Sequence, residues 1–177
     1  ELIPDEQTAV VLTTENYIKR TLITEYRQQN RGGKGKRGMT TKETDVIDQL
    51  VLASTHDWLL FFTNKGRVFR LKAHEVPAAS LASKGIAIVN LLQLQPEETV
   101  TSIVRVPKDH GEKGYLFMTT IQGVIKKTPL SDYNNIRTTG LITIRLDGGD
   151  ELRWCHLSSG EDDVIISTAQ GSAIRFS

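Results

Sequence analysis

One cysteine, Cys155, stands in 177 residues, so the chain cannot close a disulfide on itself. That usage fits a reducing, cytoplasmic setting. Aromatics make up 6% and show no regular interleaving, which argues against a stacking platform for single strands. The 38% of hydrophobic residues fall in short runs; none approaches the ~20 residues that span a bilayer, so no membrane partner is expected. No basic and apolar leader opens the chain at Glu1, so no signal peptide is expected. Helix signals are scarce: Pro96-Glu97-Glu98 starts one turn at most. Catalytic patterns are missing as well. His56, His74, His110 and His156 lack metal-ligand spacing with one another or with Cys155. Cys155 and His156 are adjacent, which sends their side chains to opposite faces of a strand. No Gly-x-Ser-x-Gly element occurs, and Asp162-Asp163 and Gly148-Gly149-Asp150 read as turn acids. The expectation is a chain with no catalytic residue, no metal site and no cofactor of its own.

Charge is present but unevenly spread. The net is +1, which alone suits no strong polyanion binder. Between Glu15 and Lys42, however, eight cations face two acids, a local +6, so the remainder carries −5. A basic band on an acidic body suits an anionic ligand held along one surface. The centre of the band is Gln29-Asn30-Arg31-Gly32-Gly33-Lys34-Gly35, continuing through Lys36, Arg37 and Gly38. Glycine at this density excludes a stable helix or strand interior and lets the backbone approach another molecule closely. A nucleic acid is the common polyanion that rewards cations on such a loop. A phosphate-binding P-loop would need Gly-Lys followed by Ser or Thr; here Lys34 is followed by Gly35, and Lys36 by Arg37.

The rest of the chain repeats itself. Val10 to Leu12 leads through Thr13-Thr14-Glu15-Asn16 into Tyr17-Ile18-Lys19-Arg20. The same layout returns as Leu59–Phe62 into Arg67–Arg70, Tyr115–Met118 into Val124–Lys127, and Val164–Ser167 into Ser172–Arg175. Asn16, Gly66, Gly123 and Gly171 share one turn position, 50, 57 and 48 residues apart, where positive φ is expected. Further strands are expected at 40–44, 46–53, 86–89, 100–106, 141–144 and 152–154. Four short strands per ~50-residue unit predict an all-β array of propeller-type blades. The chain reads as one domain, with repeats at roughly 8–56, 57–112, 113–160 and 161–177, the last incomplete. A piece of a larger disc explains that best; a short natural form would carry an open edge.

The basic loop carries a resemblance. Gln29 to Gly35 matches six of seven positions of the Gln-Arg-Arg-Gly-Gly-Lys-Gly box in the C-terminal DNA-wrapping domain of DNA gyrase A subunits. Asn30 replaces the usual Arg or Lys and removes one phosphate contact. Phe61–Val68 and Gly123–Lys127 resemble phrases of that domain's repeats, and the likeness runs from Glu1 to Ser177. It implies a β-pinwheel, a disc of about six blades with strands shared between neighbours; about three and a half are present here. It implies duplex DNA as partner, wrapped on the rim and held by Gln29, Arg31, Gly32, Gly33, Lys34, Gly35, Lys36 and Arg37. It also implies a place in the bacterial cytoplasm and nucleoid, joined to the rest of a gyrase A subunit, with the gyrase B subunit as companion. ATP and Mg2+ would bind elsewhere in that assembly, which introduces negative supercoils. The cleavage tyrosine of gyrase belongs to another part of that enzyme and matches nothing here. The related topoisomerase IV domain shares the blades but lacks an intact box. A propeller-like protein-interaction module is the alternative from another class.

A further recurrence concerns single residues. Arg20, Arg70, Lys127 and Arg175 fall at one repeat position. They form either a rim ladder that tracks phosphates, which should be exposed, or structural pairs with the recurring acids Asp45, Glu98 and Glu151, which should be half-buried. Lys19, Lys65, Arg67, Lys72, Lys84, Lys126 and Arg137 are further turn or strand cations within reach of a ligand, and Tyr17 and Tyr26 could stack on bases.

Overall fold

The computed structural model describes residues 2–27 and 46–177. In the first repeat, β1 (Gln7–Thr13) and β2 (Tyr17–Leu22) run into a short helix α1 (Ile23–Arg27), and β3 (Ile47–Ser54) follows. The second holds β4 (Trp58–Thr63), β5 (Arg67–Lys72), β6 (Ile86–Ala87) and β7 (Val100–Val106). The third holds β8 (Tyr115–Thr120), β9 (Ile125–Pro129), β10 (Leu141–Ile142) and β11 (Leu152–Ser158). A fourth opens with β12 (Val164–Ser167) and β13 (Ala173–Phe176). The described residues are therefore all-β but for α1 and short 3-10 turns. Pro96–Glu98 is a turn with Glu97 at φ +62°, not a helical one.

The hairpin turns are equivalent, as the repeat requires. Asn16, Gly66, Gly123 and Gly171 have φ of +64°, +75°, +85° and +86°. Each donates its N–H to the carbonyl of Thr13, Thr63, Thr120 or Thr168, at 2.9–3.0 Å. The hydroxyl of the same threonine then accepts the N–H of the residue after the turn: Tyr17, Arg67, Val124 or Ser172. Threonine thus satisfies two donors that the reversal leaves open.

The sheets do not follow the repeats. Their strand orders are β3-β1-β2-β6, β10-β5-β4-β7, β11-β8-β9 and β12-β13. The two-residue strands of the second and third repeats cross to the preceding blade: Ile86 pairs with Ile18 and Leu141 with Val68. β3 packs on β7 and β7 on β11, so those strands form the inner ring, and β6 and β10 lie on the rim. This exchange is the pinwheel arrangement. Glycine makes the crossing possible. Gly85 and Gly140 take φ of +83° and +80°, and a Cβ on Gly85 would strike the Ile18 carbonyl.

Two cores fill the spaces between blades. β4 is buried on both faces, so its unbroken run Leu59-Leu60-Phe61-Phe62 serves both. Leu59 and Phe61 join Val10, Leu12 and Ile18 on one side. Leu60 and Phe62 join Leu116, Met118 and Leu152 on the other. Each such side chain contributes about 1.5–3 kcal/mol of burial. These cores, rather than any helix, hold neighbouring blades at a fixed angle.

Candidate nucleic-acid interface

The basic loop, from Gln29 through Gly38, lies outside the described residues, as does Asp45. The chain leaves them after α1, at the far end of β2. It returns at Val46, whose carbonyl accepts the Thr14 N–H at 2.9 Å. The described residues that flank the segment, α1 and Val46, both adjoin the first blade.

The recurring cations divide. Arg20 is half-buried and its Nε–H donates to the Val76 carbonyl at 2.9 Å. Arg70 is half-buried and its Nη1–H donates to the Asn134 carbonyl at 2.6 Å. Val76 and Asn134 both follow a 3-10 turn in the next repeat, so each arginine bridges a blade to its successor. Burial draws the pKa of both guanidiniums below the ordinary value. Lys127 is exposed with its ammonium 5.0 Å from the Tyr115 ring centroid, and Arg175 is exposed and paired with Asp163. The half-buried members find carbonyls where acids were one expectation, because a guanidinium stem lying along a seam meets the backbone of the next repeat first.

The recurring acids serve the turns. Glu98 is buried, accepts from the Thr63 hydroxyl at 2.8 Å and pairs with Arg67 at 2.7 Å. Arg67 also donates to the Thr139 carbonyl at the start of the rim crossing. Among the described residues, Glu151 pairs with its neighbour Arg153, at 3.3 Å. Asp150, read as an ordinary turn acid, is the buried counterpart in the third repeat and accepts the N–H groups of Gln122 and Glu151. Burial raises its pKa, but hydrogen bonds from Thr120, Gln122 and Glu151 outweigh that and leave a net depression.

Lys19 corrects the list of available cations. Its side chain is fully buried, and its ammonium donates to the carbonyls of Ser80, Leu81 and Ser83 at 3.1, 2.7 and 3.0 Å. Three acceptors match three ammonium protons, and no ligand can reach it. Alternation gave no warning, because the covering loop comes from the next repeat. Lys65 donates to Pro96, Lys72 to His56 and Lys126 to Thr143, each at a backbone carbonyl. Lys84 sits 3.6 Å over the Tyr17 ring, covering a ring expected to stack on bases. Lys126, Lys127, Arg137 and Arg145 are exposed along the outer edges of the second and third blades. Arg145 was missed in the sequence; its place just after a rim strand becomes visible only once the strand exchange is known.

The comparisons agree with this geometry. A family model described as the DNA gyrase C-terminal domain, beta-propeller, matches residues 7–54, 57–107 and 114–159. The DNA gyrase A subunit of Staphylococcus epidermidis strain ATCC 12228 is 46% identical over 177 residues, all of this chain and 20% of that protein. Its Staphylococcus aureus NCTC 8325 counterpart is 46% identical over 176 residues, 99% of this chain and 20% of that one. The chain thus spans about a fifth of the curated relatives it matches. Among solved structures, the C-terminal domain of DNA topoisomerase IV superposes with a TM-score of 0.77 at 28% identity, over 98% of this chain and 52% of that one. A DNA gyrase A C-terminal domain superposes at 0.73, also at 28% identity, over 96% and 54%. The β-pinwheel, its exchanged rim strands and the matched repeats make this chain a member of the DNA gyrase C-terminal domain family.

Proposed function

We propose that the chain binds duplex DNA with little sequence preference and wraps it along the disc rim as part of a gyrase A subunit. In the complete enzyme, with ATP and the gyrase B subunit, that wrap presents a crossing segment for negative supercoiling. The observation that carries this reading is the box at 29–35, retained in six of seven positions within a chain 46% identical to gyrase A subunits. The rim supports it: Lys126, Lys127, Arg137 and Arg145 are exposed there, and phosphate neutralisation with counterion release is what a backbone-tracking surface needs. Of the recurring cations, Lys127 is exposed and able to turn toward a phosphate, Arg175 is exposed but shared with Asp163, and Arg20 and Arg70 offer only the donors that their carbonyls leave unused. The domain itself holds the DNA and leaves cleavage and ATP hydrolysis to other parts of the assembly.

The topoisomerase IV reading has one favourable observation, its slightly higher structural superposition. The box weighs against it. A salt-titrated gel shift on random duplex DNA tests the binding. Log K should fall linearly with log[salt], and replacing Arg31 and Lys34 by Ala should make the slope shallower by about two units. Binding indifferent to salt would instead favour a protein-interaction module.

A further inference from the structure

We propose that the second blade carries a site for a single phosphate group, built by Arg70 and Lys108 beside the indole of Trp58, with Lys72 on the same ring outside the cavity lining. It lies on the disc face opposite the hairpin turns, since Trp58 begins β4 and Lys72 ends β5. A cavity of about 180 Å3 opens there, with Trp58, Arg70, Lys108, Tyr133 and Asn134 in its wall and no acid in its lining. That is room for about six waters at ~30 Å3 each, and less than the ~300 Å3 at which pockets for drug-sized ligands begin. It suits one hydrated oxyanion and excludes a nucleoside.

The cavity lining itself carries only positive charge. The Arg70 guanidinium lies 3.4 Å from the Trp58 ring centroid, and the Lys72 ammonium 4.2 Å from the same centroid. Among the described residues, Arg70 makes one hydrogen bond, to the Asn134 carbonyl, and no carboxylate pairs with it. Its other N–H groups remain available to a ligand. Its charge also bears on Lys72, whose ammonium donates to the His56 carbonyl and whose pKa falls mainly by burial and then by the nearness of Arg70, against weaker pulls from Asp57 and Glu75. Lys108 is held by Asp5, an exposed acid outside the cavity lining. Part-buried like charges against one indole cost free energy, and an anion held by Arg70 and Lys108 in the cavity lowers that cost.

The neighbouring blades show that the fold does not demand this cluster. At the positions of Trp58 and Lys72, the first blade pairs Thr8 with Leu22, and the third pairs Tyr115 with Pro129. Only the second blade joins a tryptophan to two cations, although all three contain the same hairpin. Only the source of the phosphate rests on the DNA reading: it is a phosphodiester of DNA crossing the face or a free polyphosphate.

Trp58 reports on its own site. In a Trp154→Phe background it is the remaining indole of two. Titration with inorganic tripolyphosphate at low salt should change its fluorescence saturably. Lys108→Gln should weaken the midpoint about tenfold, the loss of one charge-assisted hydrogen bond. Arg70→Gln should abolish the response with circular dichroism unchanged. Asp5→Asn, an exposed change that frees Lys108, should tighten the midpoint. A flat titration, or midpoints that ignore both Lys108→Gln and Asp5→Asn, would overturn the proposal even if Arg70→Gln fails to fold. A short duplex that produces the same change identifies DNA as the phosphate source. A duplex that binds without changing Trp58 leaves the site to free polyphosphate. If tripolyphosphate saturates and no duplex binds, the DNA reading fails and the site stands.

Discussion

Gly66 and Gly123 occupy one turn position and differ in what surrounds them. Both have positive φ, which costs an L-residue ~1–2 kcal/mol. A Cβ on Gly123 meets open space, but one on Gly66 runs into the Ile144 carbonyl that follows the rim strand. Gly123→Ala should therefore cost about 1 kcal/mol, and Gly66→Ala several-fold more, read as shifts in urea midpoint. Equal losses would mean the rim strand yields easily. Asp57 gives a pH-dependent case. Burial raises its pKa, but hydrogen bonds from Arg105 and from the N–H groups of Lys108 and Ser54 outweigh that and leave it below the ordinary 3.8. A depressed carboxyl stabilises the fold above its unfolded pKa, and that stability is lost as pH falls through the folded value. Stability should hold from about pH 7 to about pH 4 and then decline. Asp57→Asn should be weaker at neutral pH and show a shallower acid limb; parallel curves would assign the acid sensitivity elsewhere.

Among the elements, the hairpins were legible and the sheets were not. Short apolar runs leading to Asn16, Gly66, Gly123 and Gly171 announced four turns, because positive φ restricts the residue types that fit. β7, expected at 100–106, is found there without change. The rim strands were expected to be four residues long and are two, since only Ile86–Ala87 and Leu141–Ile142 have a neighbouring edge to pair with. The resemblance supplied strand sharing; periodicity within a repeat could not, because exchange depends on contacts between repeats. The carbonyl partners of Arg20 and Arg70 and the burial of Lys19 escaped notice for the same reason. Exchange also makes a difference that can be measured. β2 and β5 each carry a rim strand, whereas among the described residues β9 pairs only with β8. Hydrogen exchange should be faster for amides around Val124–Lys126 than for their counterparts around Tyr17–Lys19 and Arg67–Phe69. Equal protection would show that another segment covers β9.

At the scale of the whole molecule, the proposed function makes binding and wrapping separable. Lys126 and Lys127 lie on β9 and Arg145 follows β10, all exposed in the third repeat and far along the sequence from the box. On the proposed function the box, which lies outside the described residues, supplies the charge that holds one arm of the wrapped duplex. Bending 20–30 bp by 40–90° costs on the order of 1–6 kcal/mol, and the duplex springs back when that cost is not offset. Replacing Arg31, Lys34, Lys36 and Arg37 by Ala in a complete gyrase should therefore diminish wrapping more than affinity. Some affinity survives through cations outside the box, with a shallower salt dependence. ATP-driven negative supercoiling should collapse, because it needs a wrap of fixed hand. Relaxation and decatenation need strand passage alone and should persist. Running the three reactions on one preparation decides the matter. Supercoiling near the unmodified rate would reduce the box to a solvated basic loop, and failure of all three together would place the damage in folding or in the cleavage core.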